Sequence, residues 1–227
     1  MLSNITTVVT SCDRHDLLCD TLNSFIRVQC GGMRPDRCIV IEDSGVGMPG
    51  WLRKNLEFYG SRLGVLTWLN NNSRHGQVNS IDRGYSLVTT DYIFHLEDDW
   101  HFHGSDFMHK SLQILERYPE VIQVALRGET DWHDLIKLSR YPFKIAVPYW
   151  GGDWGGLSWN PGLRRLSDYK RIRNYACHAP GGTSGLVHEA LLSRIYLDMG
   201  YRIADLGRAI VSHTGAGRSR ASLLPMR

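Results

Sequence analysis

The chain has 227 residues, 42% of them hydrophobic and 22% charged, with a formal net charge of +3. That length suits one well-buried α/β domain or at most two small ones, and the composition is that of a soluble globular protein. So small a charge does not mark a nucleic-acid binder. No apolar run reaches the roughly 18–20 residues of a membrane-spanning helix, and no basic stretch leads into an apolar core at the start, so the cytoplasm is the expected location.

Arg outnumbers Lys by 21 to 5. Its planar fork suits phosphate, although genome composition produces the same bias. The five cysteines, Cys12, Cys19, Cys30, Cys38 and Cys177, match no zinc spacing and read as reduced thiols.

In chain order, residues 5–10 form a short β-branched run, the pattern of a buried strand. Asp16 then opens a stretch in which Leu18, Leu22, Phe25 and Ile26 share one helical face. Residues 38–41 predict a second strand, ending in Glu42-Asp43-Ser44-Gly45. Residues 63–69 predict a third, stopping at Asn70-Asn71-Asn72, and residues 92–96 a fourth, stopping at Glu97-Asp98-Asp99. Strands alternating with helices at this spacing predict a mostly parallel sheet with helices on its faces. Ligands bind beyond the carboxyl ends of such strands. There the polar residues gather: Asp13-Arg14, Glu42-Asp43 and Glu97-Asp98-Asp99.

From about residue 132 to 174 the pattern changes to a loop-rich, aromatic segment carrying Trp132, Trp150, Trp154 and Trp159. It reads as an acceptor-binding wall, or as a small hydrophobic cluster beneath long loops. Residues 184–199 predict a helix through Leu186, Ala190, Leu191, Ile195 and Leu197, ended by Gly200. Short strands near 201–204 and 209–212 follow, and then a Gly/Arg/Ser-rich tail.

Adjacent carboxylates repel, so Glu97-Asp98-Asp99 is tolerated at a strand end when water or a cation offsets the charge. A hard divalent cation takes oxygen ligands from one or two carboxylates and from substrate phosphates. An acid-x-acid pair at a strand end suits a metal held against a diphosphate.

The run from Gly76 through Asp82-Arg83-Gly84 to Glu97-Asp98-Asp99 resembles the central signature of the family 2 glycosyltransferases. That signature is a glycine, an Asn-Arg-Gly-like triplet and a strand ending in Asp-x-Asp. Thr10-Ser11-Cys12-Asp13-Arg14 is similar to the family's first strand and nucleotide-binding turn, and residues 39–45 to its second strand and acidic turn. His188-Glu189 ahead of Gly200-Tyr201-Arg202 resembles its acidic pair, helix and Gly-Tyr-Arg strand, and Val211-Ser212-His213 its later strand ending in histidine. The resemblance spans residues 5–99 and 181–220. It implies one α/β domain of the GT-A (Rossmann-like) type over residues 1–227, with a mostly parallel central sheet flanked by helices. Residues 1–100 would be its nucleotide-sugar-binding half and 101–227 its acceptor-binding and catalytic half.

Carried over residue by residue, the resemblance implies that Asp13, Arg14, Glu42 and Asp43 line the base pocket. Asp82, Arg83 and Asp98 belong to the same donor-binding set. Glu97 would face the ribose or the metal, Asp99 would bind the metal, and His213 would complete the metal or diphosphate site. Arg218 and Arg220 would clamp phosphate oxygens, and Glu189 would be the general base. Two departures stand out: Glu97 replaces the leading Asp, and His188 replaces the first acid of the pair, where its protonation would lower the Glu189 pKa.

Asp153 is a second candidate for the base or an acceptor ligand, and Trp150, Trp154 and Trp159 are candidates for the acceptor wall. His101-Phe102-His103, with His95 and His109, fits no closed zinc site. Residues 181–185 are Gly-rich but lack the Lys-Ser/Thr of a P-loop. Arg164, Arg165, Lys170, Arg171 and Arg173 read as a solvated helix face, or as a surface for an anionic acceptor. The expected function is inverting transfer from a nucleoside-diphosphate sugar, UDP-sugar favoured, with Mn²⁺ or Mg²⁺. The acceptor would be a glycan or another hydroxyl-bearing molecule, with modified nucleic acid the minority reading. The alternatives are a nucleotidyltransferase, disfavoured because residues 10–16 hold no glycine, and a nucleotide-sugar-binding module without catalysis.

Overall fold

Strand β1 (Ile5–Ser11) is buried at every position. Its Ile5 and Val9 join one hydrophobic core and its Val8 another, so helices cover both faces of the sheet. The computed structural model describes residues 4–29, 33–129, 133–148, 157–178 and 185–218. After β1 come α1 (His15–Gln29), β2 (Arg37–Glu42), α2 (Gly50–Arg53), α3 (Leu56–Leu63), β3 (Val65–Asn70), α4 (Gln77–Ser86) and β4 (Tyr92–Glu97). Next are β5 (Trp100–Phe102), α5 (Phe107–Arg117), β6 (Val121–Ala125), β7 (His133–Lys137), β8 (Lys144–Pro148) and β9 (Gly162–Arg165). The described chain finishes with α6 (Leu166–Arg171), a 3-10 turn (Tyr175–His178), α7 (Gly185–Asp198), β10 (Arg202–Asp205) and β11 (Val211–His213).

The main sheet has nine strands in the order β3-β2-β1-β4-β9-β6-β10-β8-β7. The antiparallel pairs are β4–β9, β6–β9, β10–β8 and β7–β8, so β9 and β8 run against the other seven strands of this sheet. The sheet is therefore mostly parallel, as the sequence predicts. Helices α1, α3 and α5 pack on one face, and α4, α6 and α7 on the other. Phe25 of α1 stacks on Phe94 of β4 at 5.2 Å and touches Phe102 and Phe107, each such pair contributing about 0.5–1.5 kcal/mol beyond its buried area. Gly84 lets α4 lie close on the sheet, since a Cβ there would come within 2.5 Å of Val8 Cγ1.

The expected strand at residues 63–69 begins two residues later, because Leu63 closes α3 and Gly64 turns the chain with φ 81°. The segment expected to be loop-rich contains β7, β8, β9 and α6. Its Trp159 is 3% exposed and packs on His95 and Tyr175 in the core, so it is no part of an acceptor wall. The basic string also divides. Arg164 is 1% exposed, and Arg165 donates to the carbonyls of Leu115, Pro119 and Val121, while Lys170, Arg171 and Arg173 are exposed. Among the described residues, no helix is long and apolar enough to cross a membrane.

Candidate functional site

Parallel register brings the strand ends level. Ser11 pairs with Glu42, Glu42 with Asn70, and Thr10 with Glu97, so three polar turns open on one edge. Asp13 follows β1 in a left-handed conformation, φ 54°, which Asp tolerates better than most residues. Its backbone N–H donates to Glu42 Oε1 at 2.9 Å, and Ser44 N–H donates to the same oxygen. Asp43 accepts from Asn71 Nδ2 and from the backbone N–H groups of His75 and Gly76, both at 2.8 Å, tying the loop before α4 to the edge. Arg83 donates to the Asn70 carbonyl and to Asn71 Oδ1 on the same edge.

The acidic turn after β4 is held from both sides. Thr21 of α1 donates to the Asp98 carbonyl at 2.8 Å and accepts from Trp100 N–H at 3.0 Å. Arg14 reaches across to pair with Asp98 and, at 2.6 Å, with Asp99 Oδ2. Asp98 is fully buried, and that burial pushes its carboxyl up to about 6 despite Arg14. Burial also works against ionisation of Asp99, but His213 and Arg14 overcome it and hold that carboxyl below its usual value.

The small sheet of β5 and β11 pairs Trp100 with His213, placing His213 Nε2 at 3.2 Å from Asp99 Oδ2. Thr214 N–H donates to the Asp99 carbonyl, and Gly215 lies so close that a Cβ would strike the Asp99 carboxylate. Two neighbouring ligands of an octahedral ion with bonds of about 2.1 Å lie about 3 Å apart, which the Asp99–His213 pair fits. Among the described residues no group of three or more His, Cys, Asp or Glu side chains is set to hold a metal. One carboxylate and one imidazole at that spacing would suit a hard cation only if substrate phosphates and water filled its remaining positions.

Glu97 does not join that pair. Its oxygens accept from Gln77 Nε2 at 2.5 Å and Trp100 Nε1 at 3.3 Å. Burial first, then the charges of Asp99 and Glu189, push its carboxyl well above the usual range. Asp82 faces away from the edge. It accepts from Tyr169 Oη and from the backbone N–H groups of Tyr175 and Ala176, each at 2.9 Å, and so fastens the 3-10 turn to α4. It is not in the donor-binding set. Arg218 makes an exposed two-point pair with Asp16 in the first turn of α1. Asp153, Trp150, Trp154 and Arg220 lie outside the described residues.

Glu189 enters from α7. Ser158 Oγ donates to its Oε1 at 3.3 Å, and Trp159 N–H donates to the same oxygen at 2.5 Å. Those two residues precede β9, which runs between β4 and β6 and starts at their carboxyl ends, with Gly162 opposite His95 and Ala125. Gln123 of β6 receives Ser158 N–H and donates to the Asn160 carbonyl, while Ser193 of α7 bonds both backbone groups of Leu157. Burial raises the Glu189 carboxyl to about 7, against the bonds from Trp159 and Ser158 and the charges of Arg164 and Arg127. The expected lowering by His188 is overturned by this burial.

Sequence reasoning left out Gln77, Asn71, Gln123 and Trp100, which fix the acids. Asn71 and Gln77 carry a legible signal in the strand stop at residues 70–72 and in Gly76. Gln123 and Trp100 carry none without the topology.

No family model matches the sequence, and no curated protein does. Solved structures do match in fold. The structure of S. aureus TarS 1-349 shares 12% identity with a TM-score of 0.61, over 95% of this chain and 61% of that one. A mannosyltransferase from Pyrobaculum calidifontis, solved with GDP-Man and Mn²⁺, shares 11% identity with a TM-score of 0.65, over 95% of this chain and 58% of that one. GalNAc-T7, solved with UDP, GalNAc and Mn²⁺, gives 11% and 0.61, over 92% of this chain and 43% of that one. The chain thus spans about three-fifths of the first two structures and less than half of the third. The architecture of this chain is the GT-A fold found in glycosyltransferases.

Proposed function

We propose that this protein is a glycosyltransferase moving a sugar, a hexose for preference, from a nucleoside-diphosphate sugar to an acceptor hydroxyl with inversion. The observation that carries this reading is the meeting, on one sheet edge, of the Asp99–His213 pair with the buried carboxyl of Glu189. Asp13, Arg14, Glu42 and Asp43 would receive the nucleoside, UDP-sugar favoured. Asp99 and His213 would hold Mn²⁺ or Mg²⁺, and a bound cation would offset charge gathering on the departing diphosphate. Among the described residues both hydrogen bonds to Glu189 fall on Oε1, so Oε2 is the atom assigned to take the acceptor hydroxyl proton. The hydroxyl oxygen bonds to the anomeric carbon as the bond to the diphosphate oxygen breaks, and its electron pair leaves with the diphosphate. A glycan or other hydroxyl-bearing acceptor and a cytoplasmic setting complete the reading.

Thermal unfolding in the presence of nucleoside diphosphates and their sugars, with and without Mn²⁺, tests it. One nucleotide at 100 times its Kd stabilises by about 2.7 kcal/mol. The expected result is a metal-dependent rise with one nucleotide class, and no rise with any of them sinks the reading.

A further inference from the structure

Arg164 sits in the middle of β9 with its side chain 1% exposed. Nη2 donates to the Ser158 carbonyl at 3.0 Å. The buried Tyr175 hydroxyl also accepts from the guanidinium, while Nε and Nη1 lack a well-formed partner among the described residues. The guanidinium lies 6.0 Å from the Tyr85 ring centre, beside buried His95, whose two ring nitrogens are also without partners among the described residues. Burying a cation so incompletely bonded is costly, and an apolar side chain of similar size is often neutral or stabilising at such a place. The loop Arg164 touches is already held by neutral bonds from Gln123 and Ser193.

What Arg164 adds is positive charge behind Glu189. Among the described residues, the charged groups acting most strongly with Glu189 are Glu97 from β4, Arg127 from the turn after β6 and Arg164 from β9. Arg127 also lies over the Trp100 ring at 5.5 Å, toward the open edge, whereas Arg164 is sealed inside.

Resting on the reading of Glu189 as the base, we propose that Arg164 is a positioning residue for transfer. Through the Ser158 carbonyl its buried guanidinium keeps the Ser158 hydroxyl aimed at the Glu189 carboxylate, and its charge opposes the burial that favours the neutral acid. Stability is given up to hold a competent base, a trade common at catalytic sites.

The test uses the full chain with Arg164→Met and Arg164→Lys. For Arg164→Met, kcat is expected to fall at least tenfold, about 1.4 kcal/mol in the barrier. The acidic limb of kcat/KM moves to higher pH, the nucleotide Kd stays within twofold, and Tm at pH 6 is unchanged or raised. Arg164→Lys keeps the charge, so its limb stays near that of the unmodified protein, and this variant carries the test should Arg164→Met fail to fold. A fall in Tm with kcat and the limb unchanged overturns the proposal and makes Arg164 a packing residue. So does a limb displaced equally by Lys and Met.

Placing Arg164→Met on Glu189→Gln separates the two readings. With Glu189 already removed, no further loss of rate is expected. An equal further loss overturns the Arg164 proposal alone, while full activity of Glu189→Gln overturns the base assignment and with it the proposal.

Discussion

At the scale of single residues, what matters is which carboxyls stay charged. Asp99 is kept ionised by His213 and Arg14, whereas Glu97 and Glu189 are driven toward their neutral forms chiefly by burial. A base must be deprotonated to accept a proton, so activity is expected to rise as pH passes upward through about 7, the value of Glu189. Glu189→Gln should lower kcat by about 10²–10⁴ and erase that limb, with nucleotide affinity retained. A pH–rate profile of both proteins checks this, and a limb that survives in Glu189→Gln excludes Glu189 as its source. Residue identity alone did not reveal these states. Glu97 and Glu189 look alike in the sequence, and burial by Trp100, Trp159 and Ser158 distinguishes them from a solvated pair.

At the scale of elements, the parallel half is legible because its strands are short runs rich in apolar, aromatic and β-branched residues, each ending abruptly in polar residues. The antiparallel insertion is not. Strand β9 is four residues long and reads Gly-Leu-Arg-Arg, which no apolar period marks as buried. Its place between β4 and β6 is what buries Arg164, and the preceding loop carries Trp159 into the core. Asp82 was misplaced for a related reason. The triplet it belongs to lies on α4, and the helix turns it toward the 3-10 turn rather than the strand ends. Asp82→Ala leaves the backbone N–H groups of Tyr175 and Ala176 without their acceptor and should destabilise the fold by about 2–3 kcal/mol. Nucleotide affinity should be unchanged within twofold. Urea unfolding and calorimetric titration measure the two, and a selective loss of nucleotide binding would restore Asp82 to the donor site.

At the scale of the molecule, residues before and after Phe102 contribute strands to one sheet. Strand β4 pairs with β1 on one side and β9 on the other, so dividing the chain after Phe102 exposes a central strand whose Phe94 and Leu96 are fully buried. Unfolding is therefore expected as a single transition, the same by tryptophan fluorescence and by far-ultraviolet circular dichroism. A fragment of residues 1–102 is expected to show no cooperative transition. Two separate transitions, or a folded fragment, would divide the chain into two domains.

The pairing of β5 with β11 carries one more consequence. The two side chains assigned to the cation are 114 residues apart in the chain and meet only through that short ribbon. Joining distant segments costs loop entropy before any contact repays it, so this ribbon closes late. During synthesis the polar edge of β1, β2 and β4 can form while the Asp99–His213 pair is still missing. On the proposed function, a nascent chain that has not yet reached residue 213 would lack one of the two side chains for the cation, and its grip on a diphosphate is expected only once β11 has formed.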